Sequence, residues 1–126
     1  MNFPENLLYS KDHEWVKMNG ELAEVGITDF AQNELGDLVF VDVNTVGKTL
    51  QVGEVFGTVE AVKTVSDLYM PVAGEIVEFN SVLASNAEII NKDPYGEGWI
   101  IRVRPIDFSD PNHLMDVASY RSLVGH

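Results

Sequence analysis

Apolar and polar positions alternate along Glu14-Trp15-Val16-Lys17-Met18 and again along Leu22-Ala23-Glu24-Val25-Gly26-Ile27, with Asn19-Gly20 between the two runs. A period of two on either side of Asn-Gly predicts a β-hairpin, because these residues tolerate the positive φ of a tight turn. Thr28-Asp29 then reads as the cap of a short helix near residues 28–35. Phe30 and Glu34 stand one turn apart within it, and Gly36 closes it. Leu38 to Val43 is rich in β-formers. Simple alternation puts Leu38, Phe40 and Asp42 on one face and Val39, Val41 and Val43 on the other, with both faces partly buried.

Residues 51–80 form short β-like runs punctuated by Gly53, Gly57, Pro71 and Gly74, the pattern of a small antiparallel sandwich or barrel. Ser81 to Ala87 reads as loop, Asp93-Pro94-Tyr95-Gly96 as a turn, and Trp99 to Arg104 as a further strand. A C-terminal helix is predicted at about 110–124. Asp110 would be its N-cap and Pro111 its first residue, with Leu114, Val117, Ala118 and Arg121 on helical spacing. Leu114, Val117 and Ala118 would face the sheets. Strands in series with one terminal helix, over 126 residues, predict a single mainly β (α+β) domain spanning 1–126.

Charge narrows the function. Eight Lys and Arg against 20 Asp and Glu leave a net charge of −12, which repels phosphate backbones and anionic lipid, so neither nucleic acid nor membrane is an expected partner. At 45% hydrophobic residues the chain has enough apolar material for a core. No apolar run approaches the roughly eighteen residues of a membrane span, and the start lacks the basic region of a signal or transit peptide. The expectation is a soluble, cytoplasmic protein, with a mature organellar form as the alternative. Cysteine is absent, which removes disulfides, thiolate nucleophiles and Cys-based metal sites. His13, His113 and His126 are scattered, so no metal is expected, and no nucleophile elbow or phosphate-binding glycine loop is present. Trp15 and Trp99 read as core or groove wall.

One lysine stands apart. Gly53-Glu54-Val55 recurs as Gly74-Glu75-Ile76, and Lys63 lies ten residues after the first glycine and eleven before the second. Strand-like runs arrive at and leave Ala61-Val62-Lys63-Thr64, so Lys63 would sit at a hairpin tip. That tip has no Gly, Asn or Asp, a costly choice unless a partner reads its side chains. Lys63 could equally be an ordinary solvated turn residue. A raised lysine also suits covalent attachment of a carried cofactor. The arrangement resembles the biotinyl/lipoyl carrier fold, two quasi-symmetric antiparallel sheets presenting a modified lysine. Val62 and Thr64 beside the lysine, with Glu60 three residues before it, look like a lipoylation context rather than a biotinylation one.

The resemblance extends along most of the chain. His13-Glu14-Trp15-Val16, Gly26-Ile27-Thr28-Asp29-Phe30-Ala31-Gln32, Leu35-Gly36-Asp37-Leu38-Val39-Phe40-Val41, Val59-Glu60-Ala61-Val62-Lys63, Ser66-Asp67, Pro71-Val72-Ala73-Gly74-Glu75 and Asp93-Pro94-Tyr95-Gly96-Glu97-Gly98-Trp99 resemble the glycine cleavage system H-protein family. The resemblance implies a non-enzymatic carrier with lipoate on Lys63, shuttling the aminomethyl group released when glycine is decarboxylated. It implies four partners: a pyridoxal-phosphate glycine decarboxylase, a tetrahydrofolate-dependent aminomethyltransferase, an FAD-containing dihydrolipoyl dehydrogenase and the lipoyl-attaching enzymes. The carrier is expected to be a monomer. A protonated aminomethyl amine needs a shielded acidic cleft, for which Glu14 and Asp67 are the candidates and Asp12 a further contributor. Two other readings are compatible with the residues: a lipoyl relay serving other enzymes, and an acidic interaction domain with Lys63 unmodified.

Overall fold

The computed structural model describes residues 1–106 and 114–126. Strands β1 (Leu8–Tyr9), β2 (Glu14–Asn19) and β3 (Leu22–Ile27) come first, followed by helix α1 (Asp29–Leu35) and β4 (Leu38–Asp42). Next are β5 (Thr49–Leu50), β6 (Val55–Ala61), β7 (Val65–Tyr69) and β8 (Gly74–Phe79). A 3-10 turn (Ser81–Ala84), α2 (Ile89–Lys92), β9 (Ile101–Pro105) and α3 (Val117–Val124) complete the chain. The strands form a six-stranded sheet, β1-β2-β3-β9-β8-β5, and a three-stranded sheet, β4-β6-β7. All named pairs are antiparallel.

Local chemistry accounts for these elements. The first hairpin turns on Gly20 and Glu21, one residue later than Asn19-Gly20 suggested, with Gly20 alone at positive φ (67°). In α1 the Thr28 hydroxyl accepts the Ala31 N–H at 3.1 Å, and Gly36, at φ 81°, returns its own N–H to the Gln32 carbonyl. Both caps stand where the sequence puts them. The triplet repeat falls in two different sheets. Gly53 is a turn residue at φ 87°, whereas a Cβ on Gly74 would collide with the Arg104 carbonyl oxygen, so the two glycines serve different needs.

The inner faces share one core. Val16, Val25, Ile76 and Val103 of the large sheet cluster with Leu38, Val41, Phe56, Val59 and Leu68 of the small one. This is the expected sandwich. A second cluster is aromatic: Phe3, Leu7, Tyr9, Trp15 and Tyr120, with Tyr9 stacked on Tyr120 at 4.7 Å between ring centroids.

Three expectations need correcting. In β4 a bulge between Leu38 and Phe40 breaks the alternation, so Leu38 and Val41 enter the core while Val39 and Phe40 are exposed. Ser81 to Ala87, read as loop, contains the 3-10 turn, which buries Leu83. The C-terminal helix is shorter than 110–124. Its N-cap is Asp116, which accepts the Ser119 N–H at 2.8 Å, and Leu114 precedes it while Met115 bridges to Tyr9. The proposed cap Asp110 and first residue Pro111 lie outside the described residues. The buried position of α3 is Tyr120, flanked by partly buried Val117 and Val124, and Ala118 is exposed. Tyrosine prevails there because its ring fills the aromatic cluster and its hydroxyl finds polar partners.

Candidate functional site

Lys63 occupies a two-residue tip, Val62-Lys63, between β6 and β7. The Ala61 N–H donates to the Thr64 carbonyl at 2.7 Å, closing the hairpin. Neither tip residue takes a positive φ, so the strain expected of a glycine-free turn is absent. The loop is tied instead to the start of β4, where the Val62 N–H donates to the Asp37 carbonyl at 3.1 Å. Lys63 is exposed, and its Cε lies 3.7 Å from where a Cβ on Gly36 would stand. The lysine stem thus crosses the glycine at the end of α1. Glu60, Val62 and Thr64 are exposed around it, with Val62 77% exposed.

Beside the tip lies a cleft of ≈ 380 Å³ between α1, the start of β2 and the edge of the small sheet. Asp12, Glu14, Glu34 and Asp67 contribute four carboxyl-bearing residues to its lining, and Ile27, Leu35, Val59 and Leu68 are among its apolar walls. Asp67 is exposed and Glu14 is buried, 1% exposed. Glu34 was not anticipated as a wall residue, although its place one turn after Phe30 was the available signal. Among the described residues no group of acids and histidines converges as a metal site does.

Glu14 is held firmly. One carboxyl oxygen accepts the Ser10 hydroxyl at 2.7 Å and the other accepts the Tyr69 N–H at 3.3 Å. Burial pushes its pKa up from 4.5 to about 8, against the pull of those two hydrogen bonds, and the Asp12 charge adds to the rise. Glu14 is therefore largely neutral at pH 7. A cation brought into the cleft would supply the missing counter-charge and favour its ionisation.

The turn that aims these acids rests on His13. Its backbone has φ 70°, an uncommon conformation for a non-glycine residue, while its N–H donates to the Ser10 carbonyl at 3.1 Å. Its Nδ1 lies 2.9 Å from the Tyr120 hydroxyl, which also contacts the Thr28 hydroxyl at 2.7 Å. Burial lowers the His13 pKa, partly offset by Asp12 and Glu34. The Tyr120 hydroxyl, able to donate one hydrogen bond and to accept others, has the capacity for both contacts. Tyr120 thereby joins the β1–β2 turn to the N-cap of α1, the two walls of the cleft.

Asn91 supports the other end of α1. Its amide group donates to the Gln32 side chain and to the Gly36 carbonyl, both at 2.9 Å, and its oxygen accepts the Leu38 N–H at 2.9 Å. Gly36 is the residue under the lysine stem. Neither Asn91 nor Tyr120 carried a local signal, because their partners lie 53 to 107 residues away. Trp15 is core, its indole N–H donating to the Pro94 carbonyl at 2.9 Å, and Trp99 packs beneath Arg102 at 4.0 Å.

Comparison with known proteins agrees with this geometry. Residues 7–126 match the family model for glycine cleavage H-protein. A glycine cleavage system H protein of Bacteroides thetaiotaomicron is 56% identical over 124 residues, 98% of each chain. One from Chlorobium phaeobacteroides is 56% identical over 127 residues, 99% of each. The crystal structure of a glycine cleavage system H protein from Mycobacterium marinum superposes with a TM-score of 0.89 at 38% identity, covering 98% of this chain and 100% of that one. With a lysine-tipped hairpin beside an acidic cleft in a two-sheet sandwich, and with relatives matched along nearly its whole length, the chain belongs to the glycine cleavage H-protein family.

Proposed function

We propose that this chain is a lipoyl carrier modified on Lys63, and that it shuttles the aminomethyl group of glycine from a glycine decarboxylase to a tetrahydrofolate-dependent aminomethyltransferase before reoxidation by dihydrolipoyl dehydrogenase. The observation that carries the reading is the exposed Lys63, its stem over Gly36 and its tip beside a cleft that four acidic residues help to line. Lipoate there would supply what a chain without cysteine lacks, a cyclic disulfide able to take up a carbon fragment at sulfur.

The protein's own residues hold and shield. The apolar walls from Ile27, Leu35, Val59 and Leu68 limit water, and the carboxyl groups provide acceptors for a protonated amine. Glu14 is the deep acceptor, poised to ionise on arrival of the cation, and Asp67 stands at the rim. Attachment of the arm is an acylation. The Lys63 amine attacks an activated lipoyl ester or anhydride, the amide C–N bond forms, the leaving group departs, and the two protons of the former ammonium pass to solvent.

The test is intact mass with peptide mapping after incubation with a lipoyl-attaching enzyme, lipoate and ATP, using Lys63→Arg as control. A lipoyl increment confined to Lys63 supports the carrier. An unmodified Lys63, under conditions that modify a known carrier, removes it.

A further inference from the structure

Ser10 and Glu14 face each other across the first turn of the chain. Ser10 follows β1, Glu14 opens β2, and Lys11-Asp12-His13 connect them. Three-residue turns commonly end on a residue in the left-handed region, and His13 stands there at φ 70°. The backbone completes the closure, because the Ser10 N–H donates to the Glu14 carbonyl at 2.8 Å and the His13 N–H to the Ser10 carbonyl at 3.1 Å. The side chain then adds its own pairing. The Ser10 hydroxyl accepts the Glu14 N–H at 3.0 Å and donates its single proton to the Glu14 carboxyl at 2.7 Å. Ser10 is 5% exposed, so water scarcely competes for that bond.

The second bond to the carboxyl comes from the main chain, the Tyr69 N–H. Among the described residues, Ser10 is therefore the one side chain hydrogen-bonded to the Glu14 carboxyl. Position separates the two residues by role. Glu14 lines the cleft of ≈ 380 Å³ beside Lys63, whereas Ser10 is absent from that lining and borders a second cavity of ≈ 340 Å³ with Lys11, Gly53, Met70 and Pro71. Ser10 thus reaches the carboxyl from the side of the second cavity, clear of the space a carried group would enter.

We propose that Ser10 is a positioning residue for Glu14, and that its hydroxyl orients this carboxyl and favours its ionised form without touching what the cleft holds. The use this serves rests on the reading of Glu14 as the acceptor of a protonated aminomethyl group. A hydrogen bond donated to a carboxyl stabilises the carboxylate, and here it works against burial and the neighbouring charge of Asp12. The other groups around Glu14 bring no positive charge. Glu34 of α1 and Asp67 of β7 are acids on the same cleft, Tyr120 of α3 is a neutral phenol, burial lowers the pKa of His13, and Lys11 borders the second cavity. Until a cation enters, the Ser10 hydroxyl and the Tyr69 N–H are what hold the carboxylate.

The test follows the Glu14 side-chain carboxyl by 13C NMR as the unmodified chain, labelled at glutamate, is titrated, with Glu14→Gln assigning the signal. Parent, Ser10→Ala and Ser10→Thr are compared. The expected result is a midpoint about one pH unit higher in Ser10→Ala, and a midpoint close to the parent's in Ser10→Thr, which keeps the hydroxyl. A turn that merely loosened would admit water and bring the midpoint down, so the direction separates the two effects. An equal or lower midpoint in Ser10→Ala overturns the proposal, and so does a Ser10→Thr midpoint raised as far as that of Ser10→Ala. If Ser10→Ala does not fold, Ser10→Cys, similar in size but a weak donor, replaces it with the same readings. A second readout bears on Glu14 itself. Lipoylated chain loaded by a glycine decarboxylase and glycine should release ammonia about fivefold faster at pH 7 in Ser10→Ala than in the parent. A raised midpoint with unchanged ammonia release supports the hold of Ser10 on Glu14 and overturns Glu14 as the acceptor of the amine.

Discussion

Glu14 shows how one buried group couples the cleft to pH. Its pKa is raised from 4.5 to about 8, so in that range the folded state holds a proton that the unfolded state has released. Its contribution to stability is therefore complete below its ordinary pKa and is lost as pH rises through about 8. Glu14→Gln keeps the size of the group and removes the titration. The parent should lose melting temperature relative to Glu14→Gln between pH 5 and pH 8, and parallel melting curves across that window would contradict the assignment. Gly26 makes a steric prediction. It pairs with Trp15 across β2 and β3, and a Cβ there would lie 2.7 Å from the indole. Gly26→Ala should cost about 1–3 kcal/mol in urea unfolding, because the Trp15 ring is fully buried and cannot swing away.

Helix α3 contributes through a single side chain that ties other elements together. Tyr120 is fully buried, stacks on Tyr9, and bridges His13 to Thr28. Burial raises its pKa to about 12, so it remains a neutral phenol with a proton to give. Tyr120→Phe keeps the stacking and deletes the bridge. The expected cost is about 1–2 kcal/mol, read as a lower melting temperature, with faster amide exchange at Ala31 and Gln32 where the cap weakens. Exchange unchanged at those amides would mean the bridge does not hold the two cleft walls together. Asn91 plays the matching part at the C-terminal end of α1, where its bonds to Gln32, Gly36 and Leu38 join the helix, the glycine under Lys63 and β4.

The molecule as a whole carries a net charge of −12, and its ion pairs among the described residues belong to the large sheet. The small sheet, which presents Lys63, keeps its acids unneutralised. Association with basic partner surfaces should therefore be fastest at low ionic strength and fall as salt shortens the screening length to about 10 Å or less. Coupled glycine decarboxylation with the reconstituted partners, measured from low to high salt, reads this directly. A salt-independent rate would show that the net charge does not steer docking.

Reading along the chain was enough for several features written in nearest neighbours: the presence of the first hairpin, the Thr28 and Gly36 caps of α1, the Asp93 turn, and Lys63 on its hairpin. Turns and caps are short-range, with donor and acceptor a few residues apart, and so leave a local trace. The family motifs extended that reach to the two-sheet sandwich. The β4 bulge escaped because alternation is a rule for regular strands, and a bulge is settled by which residues the opposite sheet can bury. The start of α3 escaped because Leu114 satisfies helical spacing yet packs against the core, while its neighbour Met115 bridges to β1. The Tyr120 bridge between His13 and Thr28, and the bonds of Asn91 to Gln32, Gly36 and Leu38, escaped because their partners lie far apart along the chain. Composition and spacing record what each residue is able to do, but only the folded chain brings together partners that lie far apart along it, and burial then sets their charge.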